Sequence, residues 1–189
     1  MEKELEQQSA NCIRVVLFGP ESTGKTTLST ALAKHYNTVF VSEYAREYLQ
    51  KKWDQLKAIC SKEDLIPIAK GQIKLENELA QKANKVLICD TDILQTKVYS
   101  EVYFDGFCDS NIEFYSQKNH YDLYFLCEID VPWVEDDLRD KPNERKFMFD
   151  RFELELKKQK LSYIKLNGSH NYRFSTAIAY IDNLIESKN

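Results

Sequence analysis

What is missing from this 189-residue chain narrows its function before any motif is read. No block of basic residues stands out. Lysine and arginine number 26 against 30 acidic residues, a formal net charge of −4. The chain therefore offers no electrostatic footprint for nucleic acid. No apolar run approaches the roughly 18 residues of a membrane span. Residues 1–11 are polar and lack the apolar core of a secretory signal. Five cysteines (Cys12, Cys60, Cys89, Cys108 and Cys127) are scattered with no C-x-x-C pair. That spacing argues against a zinc site or a disulfide framework and for reduced thiols in a cytoplasmic protein. His35, His120 and His170 have no metal-ligand spacing, and no repeat, low-complexity segment or linker appears. The 43% apolar and 30% charged composition that remains suits one globular domain over 1–189, with a ragged leader at 1–12 that is frayed or a short helical extension.

Against this plain background one stretch stands out: Gly19-Pro20-Glu21-Ser22-Thr23-Gly24-Lys25-Thr26-Thr27. It fits G-x-x-x-x-G-K-[ST], the phosphate-binding P-loop. The apolar run Ile13-Arg14-Val15-Val16-Leu17-Phe18 precedes it and reads as a strand. Leu28, Ala31, Leu32, His35 and Tyr36 follow at helical spacing. Strand, glycine turn and helix are the context this motif needs. Its glycines let the backbone curl so that N–H groups meet phosphate oxygens, and the helix N-terminus adds partial positive charge. Lys25 is placed for the β- and γ-phosphates, and the Thr26 hydroxyl for Mg²⁺. The ligand expected is ATP with Mg²⁺. The motif does not distinguish ATP from GTP, nor tell where the γ-phosphate goes.

Four more strands are predicted. They are Thr38-Val39-Phe40-Val41, Val86-Leu87-Ile88-Cys89-Asp90, Leu123-Tyr124-Phe125-Leu126-Cys127 and Tyr163-Ile164-Lys165-Leu166. Helices are expected from within residues 42–49, over 63–83 with Pro67 in the first turn, over 93–103, over 149–158, and at the C-terminal end. Residues 50–62 carry no clear period, and 104–117 are mixed, with a turn at Asp105-Gly106. Continuously apolar strands that alternate with helices imply a parallel sheet covered on both faces. The fold class expected is a three-layer, doubly wound α/β P-loop NTPase with a five-stranded parallel sheet. In such a sheet the site lies at the carboxyl ends of the strands.

Several residues fall at those ends. Asp90 closes an apolar strand and could hold Mg²⁺ opposite Thr26, or cap the next helix. Asp92 could cap that helix or face the acceptor. Glu21 lies inside the P-loop, where a carboxylate either serves a second substrate or points to solvent. Glu43 could accept a proton from an attacking hydroxyl, or pair with Arg46 three residues on. Residues 135–150 carry Arg139, Lys141, Arg145 and Lys146. They form either a lid over the triphosphate or a solvated helix face. Tyr44, Tyr48, Tyr99, Tyr103 and Trp133 are aromatic candidates for sandwiching a base.

In order along the chain come the P-loop, Glu43-Tyr44-Ala45-Arg46-Glu47-Tyr48, Ala69-Lys70-Gly71-Gln72, and Asp90-Thr91-Asp92 with Thr96 and Tyr99. The run Asp130-Val131-Pro132-Trp133-Val134-Glu135-Asp136-Asp137-Leu138-Arg139 completes the set. This ordered set resembles the ribosylnicotinamide kinase domain of NadR-type proteins, over most of the chain. The resemblance implies a nucleoside/nucleotide kinase-like fold with a charged lid at 135–150. It implies transfer of the γ-phosphate of ATP to the 5′-hydroxyl of nicotinamide riboside. The catalytic set then expected is Lys25, Glu43, Asp90, Arg139 and Arg145. Nucleotide binding falls to Gly19, Glu21, Ser22, Thr23, Gly24, Lys25, Thr26 and Thr27, and the metal to Thr26 and Asp90. The acceptor falls to Glu21, Glu43, Tyr44, Arg46, Asp92, Tyr99 and Trp133. Two departures stand out. Asp137 occupies a position where the family pattern has glycine, and twelve leading residues hold none of the domains that usually precede the kinase in NadR proteins, so a stand-alone kinase-like domain is expected. The alternatives are a kinase for another nucleoside or nucleotide, and a P-loop ATPase or switch acting with a protein partner. Nothing in the sequence decides between monomer and homo-oligomer.

Overall fold

The computed structural model describes residues 2–139 and 142–188. Its centre is a five-stranded sheet of order β2-β3-β1-β4-β5, with every pairing parallel, as expected. The strands are β1 (Ile13–Phe18), β2 (Phe40–Val41), β3 (Val86–Asp90), β4 (Leu123–Cys127) and β5 (Tyr163–Leu166). Alternation along β1 divides the core into two layers. Val16 and Phe18 face one side with Leu94, Val98, Phe152 and Leu156. Val15 and Leu17 face the other with Leu28, Leu32, Ala177 and Ile181. The helices that supply these partners are α1 (Lys25–His35), α4 (Ile93–Tyr103), α6 (Arg145–Lys158) and α7 (His170–Ser187). α2 (Tyr44–Leu56), α3 (Leu65–Ala80) and α5 (Ser110–Lys118) complete the set.

Two expectations change and one is resolved. α2 continues to Leu56 through the stretch with no period, because none of its residues is buried and no core stripe marks it. α5 forms in the mixed stretch, where Asp109 caps its start by accepting from the Asn111 N–H at 2.8 Å. Of the two alternatives for the leader, the short helical extension is the one that forms, and it is packed down. Glu2–Leu5 is a short 3-10 turn, and Leu5 is 1% exposed against Leu65, Ile73 and Ile112. Asn77 and Asn119 tie it down further, donating to the carbonyls of Glu6 and Leu5 at 3.0 and 3.1 Å. Met1 lies outside the described residues.

Beneath the α3–α4 side of the sheet lies a buried acid network. Tyr121 donates to Glu76 at 2.8 Å and Tyr124 to Asp92 at 2.7 Å. Burial, then the charge of Asp92, pushes Glu76 up to about 8. Its other charged or polar neighbours are Arg14 and Gln72. A raised pKa means that the folded protein holds a proton the unfolded chain has released. Stability from Glu76 is therefore present below its ordinary value of 4.5 and is lost as pH rises towards 8. Glu76→Gln keeps an acceptor for Tyr121 and removes the titration. Its melting temperature should equal that of the wild type near pH 5 and exceed it increasingly towards pH 8 (pH values approximate). A difference that stays constant across that range would show that Glu76 does not titrate there.

Candidate active site

The motif stretch turns tightly between β1 and α1. Gly19 has φ +129°, and a Cβ there would lie 3.0 Å from the Cys127 carbonyl. Gly24, at φ +81°, immediately precedes α1 without a side-chain cap. The helix therefore starts with its amides open to an anion. Lys25 is 7% exposed and folds back, donating from Nζ to the carbonyls of Gly19 at 2.9 Å and Pro20 at 2.8 Å. Thr23 Oγ1 also donates to the Pro20 carbonyl, at 2.9 Å.

The strand order builds the rest. β3 lies beside β1 with Leu17 opposite Asp90, so the strand-ending carboxylate arrives next to the loop. Thr26 Oγ1 donates to Asp90 Oδ2 at 2.5 Å, while Asp90 Oδ1 is buried and has no partner among the described residues. β2 lies beside β3 and brings in Glu43. Burial, then the charge of Glu43, raises Asp90 to about 6. Glu43 accepts from Gln95 Nε2 at 3.3 Å. The alternative pairing of Glu43 with Arg46 gives way to an Arg46–Asp136 ion pair at 2.5 Å. Asp136 also holds Arg139 Nε at 3.2 Å.

Most of these residues line a cavity of about 330 Å³; Gly19, Pro20, Asp90 and Asp136 stand outside its lining. The stretch Glu21 to Thr27, the charged Glu43, Arg46 and Arg139, and the apolar Leu49, Trp53, Leu65, Ile68 and Phe104 all contribute to its lining. Tyr99 lines it too. A few polar groups over an apolar concavity of this size is the usual build of a small-molecule site.

Other expected residues go elsewhere. Asp92 does not line the cavity. It is 1% exposed, accepts from the Gln95 N–H as the cap of α4 at 3.1 Å, and holds Tyr124. Tyr44 packs on α3, where a Cβ on Gly71 would come within 2.0 Å of its ring. Trp133 lies under the Arg145 guanidinium at 5.7 Å, in a small side hollow. The expected lid cluster divides. Arg139 reaches the cavity, Lys146 pairs with Asp150 on the exposed face of α6, and Asp140 and Lys141 lie outside the described residues. Arg145 does not line the main cavity. It donates to the carbonyls of Val131 and Ser22, each at 3.0 Å. Asp137 replaces the family glycine without strain, since it is not among the described positive-φ residues.

Sequence reasoning did not single out Trp53, Gln95 or Arg173. Trp53 sits on α2, whose lack of a buried stripe hid it. Arg173 is 3% exposed inside α7 and donates from Nη1 to the Thr23 carbonyl at 2.7 Å. No motif or period marks it.

A family model described as an AAA domain matches residues 14–173, which hold every residue named in this site. The chain belongs to the AAA domain family. The expected resemblance to NadR-type proteins also holds. Over 125 residues this AAA domain is 32% identical to the trifunctional NAD biosynthesis/regulator protein NadR of Escherichia coli (strain K12), covering 66% of the chain and 30% of that relative's length. A NadR crystal structure in complex with NR superposes with a TM-score of 0.71 at 23% identity, covering 93% of this chain and 51% of that one. Thymidylate kinase from Ehrlichia chaffeensis gives 0.65 at 19% identity, covering 92% of this chain and all of that one. The AAA domain thus shares its P-loop kinase-like α/β fold with nucleotide kinases. Among its described residues no helix is long and apolar enough to cross a membrane, and no cluster of three or more His, Cys, Asp or Glu could hold a metal by itself.

Proposed function

We propose that this AAA domain is a kinase that transfers the γ-phosphate of ATP to the 5′-hydroxyl of nicotinamide riboside, giving nicotinamide mononucleotide. The observation that carries the reading is that one cavity is lined by the P-loop, by the carboxylate of Glu43 and by aromatic and apolar side chains together, so donor and acceptor would share it. The NadR relative and the NR-bound NadR structure support the choice of acceptor. Its pyridinium ring carries a fixed positive charge. Glu21 and Glu43 supply the opposite sign, and Tyr99 and Trp53 supply faces for cation–π attraction of about 0.5–2 kcal/mol.

Each residue has a part in the chemistry. Lys25 would leave its two carbonyls and bind the β- and γ-phosphates. Glu43, held by Gln95, would orient the 5′-hydroxyl and take its proton. Arg139 would meet charge developing on the transferring group. The hydroxyl of Thr26 and the unpartnered Asp90 Oδ1 fit the oxygen ligands that Mg²⁺ takes, Asp90 either directly or through water. Bound there, Mg²⁺ would supply charge neutralisation at the β- and γ-oxygens. In this reading the enzyme works in the cytoplasm on a small-molecule substrate.

A second reading has its own support. Arg46 and Arg139 place two cations on the cavity, which would suit an acceptor that already bears a phosphate. A panel of nicotinamide riboside, thymidine, uridine, adenosine and their 5′-monophosphates, with ATP and Mg²⁺, separates the two by ADP release. Nicotinamide riboside should exceed the other nucleosides by at least about tenfold in kcat/KM, the factor that about 1.4 kcal/mol of pocket selectivity gives. A monophosphate turned over faster than any nucleoside would replace this reading with that of a nucleotide kinase. ATP hydrolysis seen only with a protein partner present would favour the switch.

A further inference from the structure

We infer that Arg145 and Arg173 aim the amides of the P-loop at the phosphates, a positioning role that rests on the reading of the loop as a triphosphate site. A trans peptide is planar, so its C=O and its N–H point in opposite directions. Arg173 Nη1 holds the Thr23 carbonyl at 2.7 Å, and Arg145 Nη2 holds the Ser22 carbonyl at 3.0 Å. Neither arginine lines the main cavity, whereas Ser22, Thr23 and Gly24 all do. With its carbonyls pulled away from the cavity, the loop turns the N–H groups of Thr23 and Gly24 towards it.

The other carbonyls bonded in this stretch are served by donors close by in the chain. Lys25 Nζ bonds those of Gly19 and Pro20, Thr23 Oγ1 bonds Pro20, and the Leu28 N–H bonds Gly24. The arginines reach in from 123 and 150 positions away. Each is fixed at its far side. Arg173 donates to the carbonyls of Glu128 at 3.0 Å and Gly168 at 3.2 Å and pairs with Asp130. Arg145 donates to Val131 at 3.0 Å and lies over Trp133. External hold is needed because the loop does not choose this shape by itself. Ser22 is a non-glycine residue at φ +54°, a left-handed conformation that local sterics disfavour. The hold matters most once Lys25 swings to the phosphates, since its two bonds to the loop are then gone.

The test compares the full chain as wild type, Arg145→Ala and Arg173→Lys. Arg173→Lys keeps the charge but cannot reproduce a planar fork across several acceptors. Binding of ATP with Mg²⁺, and of inorganic tripolyphosphate, is followed by calorimetry, with melting curves as a check on folding. Both variants should bind both ligands at least about tenfold more weakly, while kcat at saturating ATP stays within about threefold of wild type. Tripolyphosphate matters because it has no base or ribose, so its loss reports the loop alone. Folded variants that bind tripolyphosphate as tightly as wild type would overturn the role. So would an Arg145→Ala enzyme with unchanged affinity and a collapsed kcat, which would return Arg145 to the lid. If Arg173→Lys fails to fold, Arg145→Ala decides. If the wild type itself binds neither ligand, the triphosphate reading fails first, and the positioning role with it.

Discussion

Lys25→Ala should lower kcat/KM for phosphoryl transfer by at least about 10³-fold and shift the melting temperature by only a few degrees, in keeping with the loss of one preorganised charge contact. The two halves of that expectation come from different contacts. Catalysis loses the ammonium that would neutralise charge between the β- and γ-phosphates. The unliganded fold loses the bonds from Nζ to the carbonyls of Gly19 and Pro20 and the opposite charge that Lys25 presents to Asp90. Each such bond contributes on the order of 1 kcal/mol net. The Pro20 carbonyl keeps Thr23 Oγ1 as a donor, which limits the damage further. Steady-state kinetics with the best acceptor, alongside calorimetric melting, checks both. Turnover near that of the wild type would remove the P-loop from the chemistry. A collapse of the fold would make Lys25 a structural residue first.

Asp90→Asn should separate stability from activity in the other direction. Asp90 is 1% exposed, faces the charge of Glu43, and leaves Oδ1 without a partner among the described residues. Its pKa is raised to about 6, so the folded state carries the burden of its ionised form at neutral pH, and that burden grows as pH rises through the folded value. An amide removes the buried charge while still accepting from Thr26. The unliganded variant should therefore melt above wild type at pH near 8 and converge with it near pH 4. Phosphoryl transfer should fall by about 10²–10³-fold, because a neutral amide holds Mg²⁺ far more weakly than a carboxylate does. Added Mg²⁺ should raise the melting temperature of wild type with ATP present and fail to do so for the variant. A variant that is less stable and fully active would place Asp90 in the frame of the sheet and outside the site.

Asp90 ends β3 and Asp92 follows two positions on, and sequence alone left a capping role open for both. Thr91 between them adopts φ +74°, which sends the two carboxylates to opposite places. One meets Thr26 at the P-loop, and the other disappears under Tyr124. The charged run 135–150 divides for a similar reason. A helix beginning at Arg145 puts Lys146 on the exposed face and leaves Arg145 at the end nearest the loop. Trp53 was hidden because α2 buries none of its residues, and periodicity reports only a buried face.

Sequence by itself determined the P-loop, the five strands, the alternation that makes the sheet parallel, and the carboxylates Glu43 and Asp90 at strand ends. All of these are local or periodic properties, written in neighbouring residues and read by backbone sterics and burial. Tertiary structure alone decided which charged groups face the cavity, that Arg46 pairs with Asp136, and that Arg145 and Arg173 grip the loop from the far end of the chain. Those outcomes depend on strand order and on a competition among partners far apart in sequence. Each guanidinium goes to the acceptors that the packed sheet places within its reach, and no local pattern records which ones those are.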